Sequence, residues 1–370
     1  MDLLKKHLDH PGDGASHRRR DHRARRVDTM RSWRDGREVD DAPGKERWSR
    51  EARTGRHRAA AKNSALGNLV LAGEGLVVEH HRRSCVVRTD AGEEFLCRYG
   101  ASLEGNEEGN GIVVGDRVAY GRDEASGELY LSRLFPRSSK LSRPGPPDRE
   151  HREQLLAANV DRLVVVTSAA EPDFRPGFVD RYMLVASWSD LPMALVVNKI
   201  DLVESLPEAV SEFEGLVDEI VPVSTRTGEG LDRLRALVKG RRSVFTGHSG
   251  VGKSSLVEKL VPGLSLKTGD VREDGKGRHT TTSSSVYELP EGGSVIDTPG
   301  IRGLGIWKAD PALVPLLFPP FKPYVNRCRF DNCRHLEEPG CAVEAAFESG
   351  KIPLRFRKGY RRILEGLERP

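Results

Sequence analysis

Five short clusters hold the residues most able to do chemistry. Gly247-His248-Ser249-Gly250-Val251-Gly252-Lys253-Ser254-Ser255 fits the pattern G-x-x-x-x-G-K-S/T. In such a loop glycines let successive backbone N–H groups and a helix N-terminus face phosphates, Lys253 reaches the β and γ oxygens, and the Ser254 hydroxyl ligates Mg²⁺. Asn198-Lys199-Ile200-Asp201 supplies a base reader, because the Asp201 carboxylate can accept from both the ring N–H and the exocyclic amine of guanine. Adenine offers no such donor pair, and a buried carboxylate left without donors is costly enough to reject the wrong base by roughly 10⁴. Lys199 is expected along the ring plane, Asn198 is expected to tie this loop to the phosphate loop, and Ser224 opens the loop whose backbone N–H meets the guanine oxygen.

Asp297-Thr298-Pro299-Gly300 has the form D-x-x-G, in which the aspartate holds Mg²⁺ through water and the Gly300 N–H senses the γ-phosphate. Gly277-Arg278-His279-Thr280-Thr281-Thr282 is placed like a first switch, and either Thr281 or Thr282 is expected to complete the Mg²⁺ shell. Where many GTPases carry a water-orienting glutamine after D-x-x-G, this chain has Ile301, which cannot polarise water, so slow unassisted hydrolysis is expected. His279 is the candidate catalytic substitute, with a contact to RNA or to its own loop as the alternative. The fifth cluster, Cys328-x4-Cys333-x-His335-x5-Cys341, offers three thiolates and an imidazole, the ligand set of one structural Zn²⁺ with no open position for catalysis.

These clusters need strands and helices to position them. Apolar runs at 163–167, 194–198, 220–223, 243–247, 285–289 and 294–298 read as strands, and 177–188, 207–217, 231–238 and 254–260 carry helical spacing. Such alternation predicts a mostly parallel sheet covered by helices, with ligands at the carboxyl ends of the strands. The motifs come in an unusual order, with N-K-x-D and Ser224 before the phosphate loop and Asp297 last, so a circularly permuted P-loop GTPase domain is expected. Five short glycine-punctuated runs between 66 and 135 predict a small all-β barrel of the OB type, a fold that commonly binds RNA through one sheet face, with a barrel that serves only as a packing module as the alternative. Tyr99, Tyr120 and Tyr130 are its available stacking residues, and each could instead be core. Arg137 to Pro147 reads as a basic linker. The expected boundaries are a disordered basic extension at 1–65, the OB-fold at 66–143, the GTPase domain at 148–305 and a mostly helical zinc domain with basic C-terminal helices at 306–370.

Composition narrows the function classes. Residues 1–66 carry 18 Lys/Arg against 11 Asp/Glu, so the overall charge of +4 is concentrated there, and residues 351–370 add seven Lys/Arg against two Glu. Such basic ends favour a polyanion, and RNA is the obvious one in cytoplasm. No run approaches the roughly 18 apolar residues of a membrane span, and the charged start lacks a signal peptide's apolar segment, so a cytoplasmic protein is expected. Five cysteines, three of them crowded into one window, suit metal binding rather than a disulfide framework.

Residues 66–370 resemble the ribosome small-subunit-dependent GTPase A family of permuted bacterial GTPases. The resemblance runs through R-S-S-K-L-S-R, N-K-I-D, G-H-S-G-V-G-K-S-S, G-R-H-T-T-T, D-T-P-G-I and C-R-F-D-N-C-R-H-L-E-E-P-G-C. It implies a late assembly factor of the 30S subunit that docks on 16S rRNA near the decoding region, hydrolyses GTP to GDP when stimulated by the particle, and helps release ribosome-binding factor A. A monomer with no membrane attachment is expected. An RNA chaperone built of the barrel and the zinc lobe, with GTP as a structural ligand, is the competing class. An ATP-dependent P-loop enzyme is disfavoured by Asn198 and Asp201.

Overall fold

The computed structural model describes residues 69–99, 111–145, 153–264, 285–297 and 310–368, and residues 66–370 form one compact unit. The extension 1–65, the first switch with His279, Thr281 and Thr282, and Gly300 lie outside the described residues.

β1 (Leu69–His80), β2 (Ser84–Arg88), β3 (Glu94–Arg98), β4 (Arg117–Asp123) and β5 (Leu129–Leu134) run in the order β1-β2-β3-β5-β4, and a β1–β4 ladder closes them into a barrel. Val77, Cys85, Val87, Cys97, Val118, Tyr120 and Leu131 fill its interior. One long strand serves both barrel neighbours because β1 shifts register against β4 between Leu71 and Gly73 and against β2 between Val77 and Glu79, the bends a small closed barrel requires. Gly73 also makes room for a large side chain, since a Cβ there would lie 2.8 Å from the Tyr120 hydroxyl. Tyr120 is therefore core. Tyr99 and Tyr130 stay partly exposed, their hydroxyls donating to the Ser84 carbonyl and to Glu128.

The second half of the architecture is α/β. β8 (Arg162–Ser168), β9 (Met193–Asn198), β10 (Glu219–Pro222), β11 (Arg242–Thr246) and β13 (Ser294–Asp297) lie parallel in the order β10-β9-β8-β11-β13, and β12 (Ser285–Glu288) runs antiparallel to β13. Every residue of β8 and β9 is buried, as unbroken apolar runs demand when both sheet faces are covered. α1 (Pro176–Ser189) packs on one face, while α2 (Leu231–Val238) and α3 (Lys253–Leu260) pack on the other. The barrel continues this sheet: Glu79 of β1 pairs with Ser285 of β12, and Arg88 of β2 bonds Glu288 at 2.9 Å. Eleven strands result among the described residues.

Two expectations need correction. The segment expected as an α-helix at 207–217 contains a 3₁₀ turn, Glu208–Phe213, because its buried residues Val210 and Phe213 repeat every three positions and Gly215, at φ 71°, turns the chain away. The expected linker contains β6 (Lys140–Pro144), which pairs antiparallel with β7 (Glu153–Ala158). Its first residue is also anchored: Arg137 Nε donates at 2.6 Å to Asp116, which has no exposed surface.

The C-terminal lobe holds α4 (Val314–Leu317), α5 (Ala342–Glu348) and α6 (Arg355–Glu368). α6 lies close on α1, since a Cβ on Gly359 would come within 2.4 Å of Asp180 Oδ2. Arg355 reaches the same buried carboxylate at 3.0 Å, bonds Glu212, and covers the rings of Phe213 and Phe356. No described helix is long and apolar enough to cross a membrane.

Candidate nucleotide site and metal centre

Because β8 to β11 are parallel, their carboxyl ends deliver Ser168, Asn198–Asp201, Ser224 and Gly247–Ser254 to one edge of the sheet. Asn198 joins three of these loops. Fully buried, it donates from Nδ2 to the Val251 carbonyl at 2.8 Å and accepts from the Thr225 N–H at 3.4 Å. The approach depends on glycine: a Cβ on Gly252, at φ 89°, would sit 2.3 Å from Asn198 Nδ2. Gly247 is pressed equally hard, its position lying 2.3 Å from the Val166 carbonyl by the same measure.

Within the phosphate loop Lys253 Nζ donates to the Gly247 and His248 carbonyls at 2.7 and 3.0 Å, so the ammonium already sits across the loop. Ser254 and Ser255 follow in the first turn of α3, and Gly250 and Val251 complete the turn. The His248 and Phe178 rings meet edge-on with centroids 5.0 Å apart, and the His248 Nδ1 lies 3.4 Å from the Ser249 carbonyl. Burial pushes the His248 pKa down. Asp297 ends β13 beside β11, where burial raises its pKa while the Lys253 charge opposes the rise.

On the far side of Asn198 from the glycine-rich loop, Ser224 Oγ donates to Asp201 Oδ1 at 2.5 Å, and Arg226 Nε donates to Oδ2 at 2.7 Å. These bonds, the serine's first, hold the Asp201 carboxyl below the usual carboxylate range. Ser224 Oγ in turn accepts from the Thr227 and Arg226 N–H groups, which fixes the loop. Lys199 adopts a left-handed backbone, φ 62°, and its ammonium donates to the Glu171 carbonyl.

That last contact brings in a loop absent from the sequence reading. Residues 169–175 follow β8, Pro172 accepts from Ser168 Oγ at 2.6 Å, and the Pro172 ring lies 3.6 Å from where a Gly250 Cβ would stand. Its signal was available as E-P-D-F-R-P immediately after an apolar strand, a stiff loop at the end where ligands bind.

The metal cluster lies in the C-terminal lobe. The ligand atoms of Cys328, Cys333, His335 and Cys341 all fall within 4.8 Å of one another. Cys328 Sγ and Cys341 Sγ are 3.5 and 3.4 Å from His335 Nδ1 and 4.0 Å from each other. A tetrahedral ion with Zn–S near 2.3 Å and Zn–N near 2.0 Å spaces its ligands by roughly 3.5 to 3.8 Å, so the four residues fit zinc. The lobe also offers thiolate support: the Ala342 N–H points at Cys328 Sγ and the Glu344 N–H at Cys341 Sγ, both from the first turn of α5. Glu338, which accepts from the Arg334 and Leu336 N–H groups, ties down the turn bearing His335.

Residues 134–307 match the family model described as RsgA GTPase. The small ribosomal subunit biogenesis GTPase RsgA of Gemmatimonas aurantiaca is 41% identical over 289 residues, spanning 75% of this chain and 92% of that protein. Its counterpart from Actinobacillus pleuropneumoniae serotype 5b is 34% identical over 329 residues, spanning 85% and 92%. The chain belongs to the RsgA GTPase family. RsgA GTPases are GTP hydrolases, and this chain carries the family's permuted domain between the barrel and the lobe with the cysteine-histidine cluster. Among solved structures, YjeQ from Thermotoga maritima aligns with TM-score 0.64 at 29% identity over 80% of this chain and 99% of that one. YloQ, described as a circularly permuted GTPase, aligns with TM-score 0.60 at 23% identity and shares the fold.

Proposed function

We propose that this chain is a monomeric cytoplasmic GTPase of small-subunit assembly that binds the 30S particle and 16S rRNA, turns over GTP slowly alone, and accelerates on the particle. The observation that carries it is the convergence of Asn198–Asp201 and Gly247–Ser254, which come together through Asn198 and the Val251 carbonyl. Asp201 and Ser224 would read guanine, Lys199 would line its ring, and the backbone of Gly247 to Ser255 with Lys253 would hold the phosphates. Ser254, Asp297 and one of Thr281 and Thr282 would hold Mg²⁺, which neutralises phosphate charge when bound. Gly300 would sense the γ-phosphate and His279 would orient the attacking water. Cys328, Cys333, His335 and Cys341 would hold one structural Zn²⁺. The domain limits 66–143, 148–305 and 306–370, with 1–65 as an extension, belong to the same reading. The relatives' name as small-subunit biogenesis GTPases supports the particle as partner, and assistance in releasing ribosome-binding factor A is the step proposed there.

The test is GTP turnover by the purified chain with and without 30S subunits. Stimulation is expected. Binding of GTP and RNA without stimulation would instead establish the chaperone reading.

A further inference from the structure

Asp201 already has a partner. Its carboxylate is 7% exposed, whereas the Arg226 side chain that bonds Oδ2 at 2.7 Å is 71% exposed. Ser224, fully buried, holds the other oxygen. The serine comes from inside the protein and the arginine from outside, so the arginine stands between the carboxylate and solvent. A guanine ring donating to both carboxylate oxygens needs the place that Arg226 occupies.

We propose that Arg226 is a stand-in donor that occupies the guanine-reading carboxylate until the base arrives, and then moves onto the exposed face of the bound purine. The inference rests on the guanine reading given above. Two facts make the exchange feasible. The arginine end of the pair lies in solvent, where its charge is readily hydrated on leaving, so a ligand with two donors to the same carboxylate can replace it. The loop carrying Arg226 is fixed through its backbone, by the Arg226 and Thr227 N–H groups on Ser224 Oγ, so its side chain can leave Asp201 without disturbing Ser224. Once released, a guanidinium anchored two residues from Ser224 is within reach of the ring, where a cation over an aromatic face is attractive. Lys199, in the same loop as Asp201, is tethered instead to the Glu171 carbonyl.

Removing the stand-in should therefore raise the rate of base docking and also the rate of escape. The test compares the wild-type chain with Arg226→Ala, using fluorescent GDP in stopped-flow at about 0.5 M salt, where steering of the phosphates by surface charge is screened. Association several-fold faster and dissociation several-fold faster are expected. Association unchanged or slower would overturn the proposal. Asp201→Asn, assayed with GDP and xanthosine diphosphate, separates the two levels. A switch of preference to xanthine with no Arg226→Ala effect sinks the stand-in alone, and no switch sinks the guanine reading beneath it. In the Asp201→Asn background, Arg226→Ala should no longer speed xanthosine diphosphate association.

Discussion

Asn198 Nδ2 and the Val251 carbonyl meet at 2.8 Å across 53 positions of sequence, and both are buried. This bond, with the Thr225 N–H on the other end of the same side chain, sets the spacing between the base-side and phosphate-side loops. Asn198→Ala removes both and leaves the Val251 carbonyl without its donor. GDP affinity should fall roughly 10- to 100-fold, the equivalent of one or two buried hydrogen bonds. Isothermal titration measures it, and an unchanged affinity would show that the loops hold their spacing without Asn198.

Gly252→Ala addresses the same junction from the opposite side. The new methyl would meet Asn198 Nδ2 at 2.3 Å on a backbone at φ 89°, a conformation that costs a non-glycine residue about 1 to 2 kcal/mol before any clash. Nucleotide binding should be lost to titration while circular dichroism of the fold persists. Retained GDP binding would mean that the loop relaxes.

Asp180 gives a pH dependence. Burial raises its pKa from 3.8 to about 6, although the Arg355 charge pulls it down. The native state then keeps a proton that the unfolded chain has lost, so this group's stabilisation is complete below about pH 4 and disappears as pH rises through about 6. The upper bound is roughly 3 kcal/mol. The stability difference between wild type and Asp180→Asn, followed by denaturant melts from pH 4 to 7, should decline over that window. Arg355→Ala should cost more at pH 8 than at pH 5, by leaving a buried carboxylate charged and unpaired, about 3 to 5 kcal/mol at the higher pH. Equal cost at both would refute the assignment.

Metal removal should act locally. Chelation is expected to release one zinc per chain and to raise hydrogen exchange first in residues 328–341 and α5, whose first-turn N–H groups face two of the thiols. The nucleotide loops should be the later to loosen. Simultaneous loss everywhere would mean that the lobe and the sheet unfold as one unit.

What was legible in the sequence was local. G-H-S-G-V-G-K-S, N-K-I-D and the cysteine-histidine window each declare themselves by spacing within a few residues, and the strands before them are apolar runs too long for loops. The barrel showed through its glycine turns. What escaped depends on partners far away in the chain. Lys140–Pro144 looks like a linker because it is basic and ends in proline, and only the ladder with Glu153–Ala158 makes it a strand. Arg226 and Glu171 carry no motif, yet they touch Asp201 and Lys199. Asp180 and Arg355 are 175 positions apart, and neither residue type announces burial. The 207–217 helix misled because Val210 and Phe213 satisfy helical and 3₁₀ spacing alike until Gly215 ends the turn.

α1 serves two masters within a single turn. Phe178 abuts the ring of His248, and Asp180, two residues on, bonds Arg355 and lies where a side chain on Gly359 of the last helix would stand. The helix is a crank with its two bearings side by side, leaving little slack for one end to shift while the other stays. A ligand that clamps the last helix is therefore expected to change nucleotide affinity, and by linkage the nucleotide would change that ligand's affinity by the same factor.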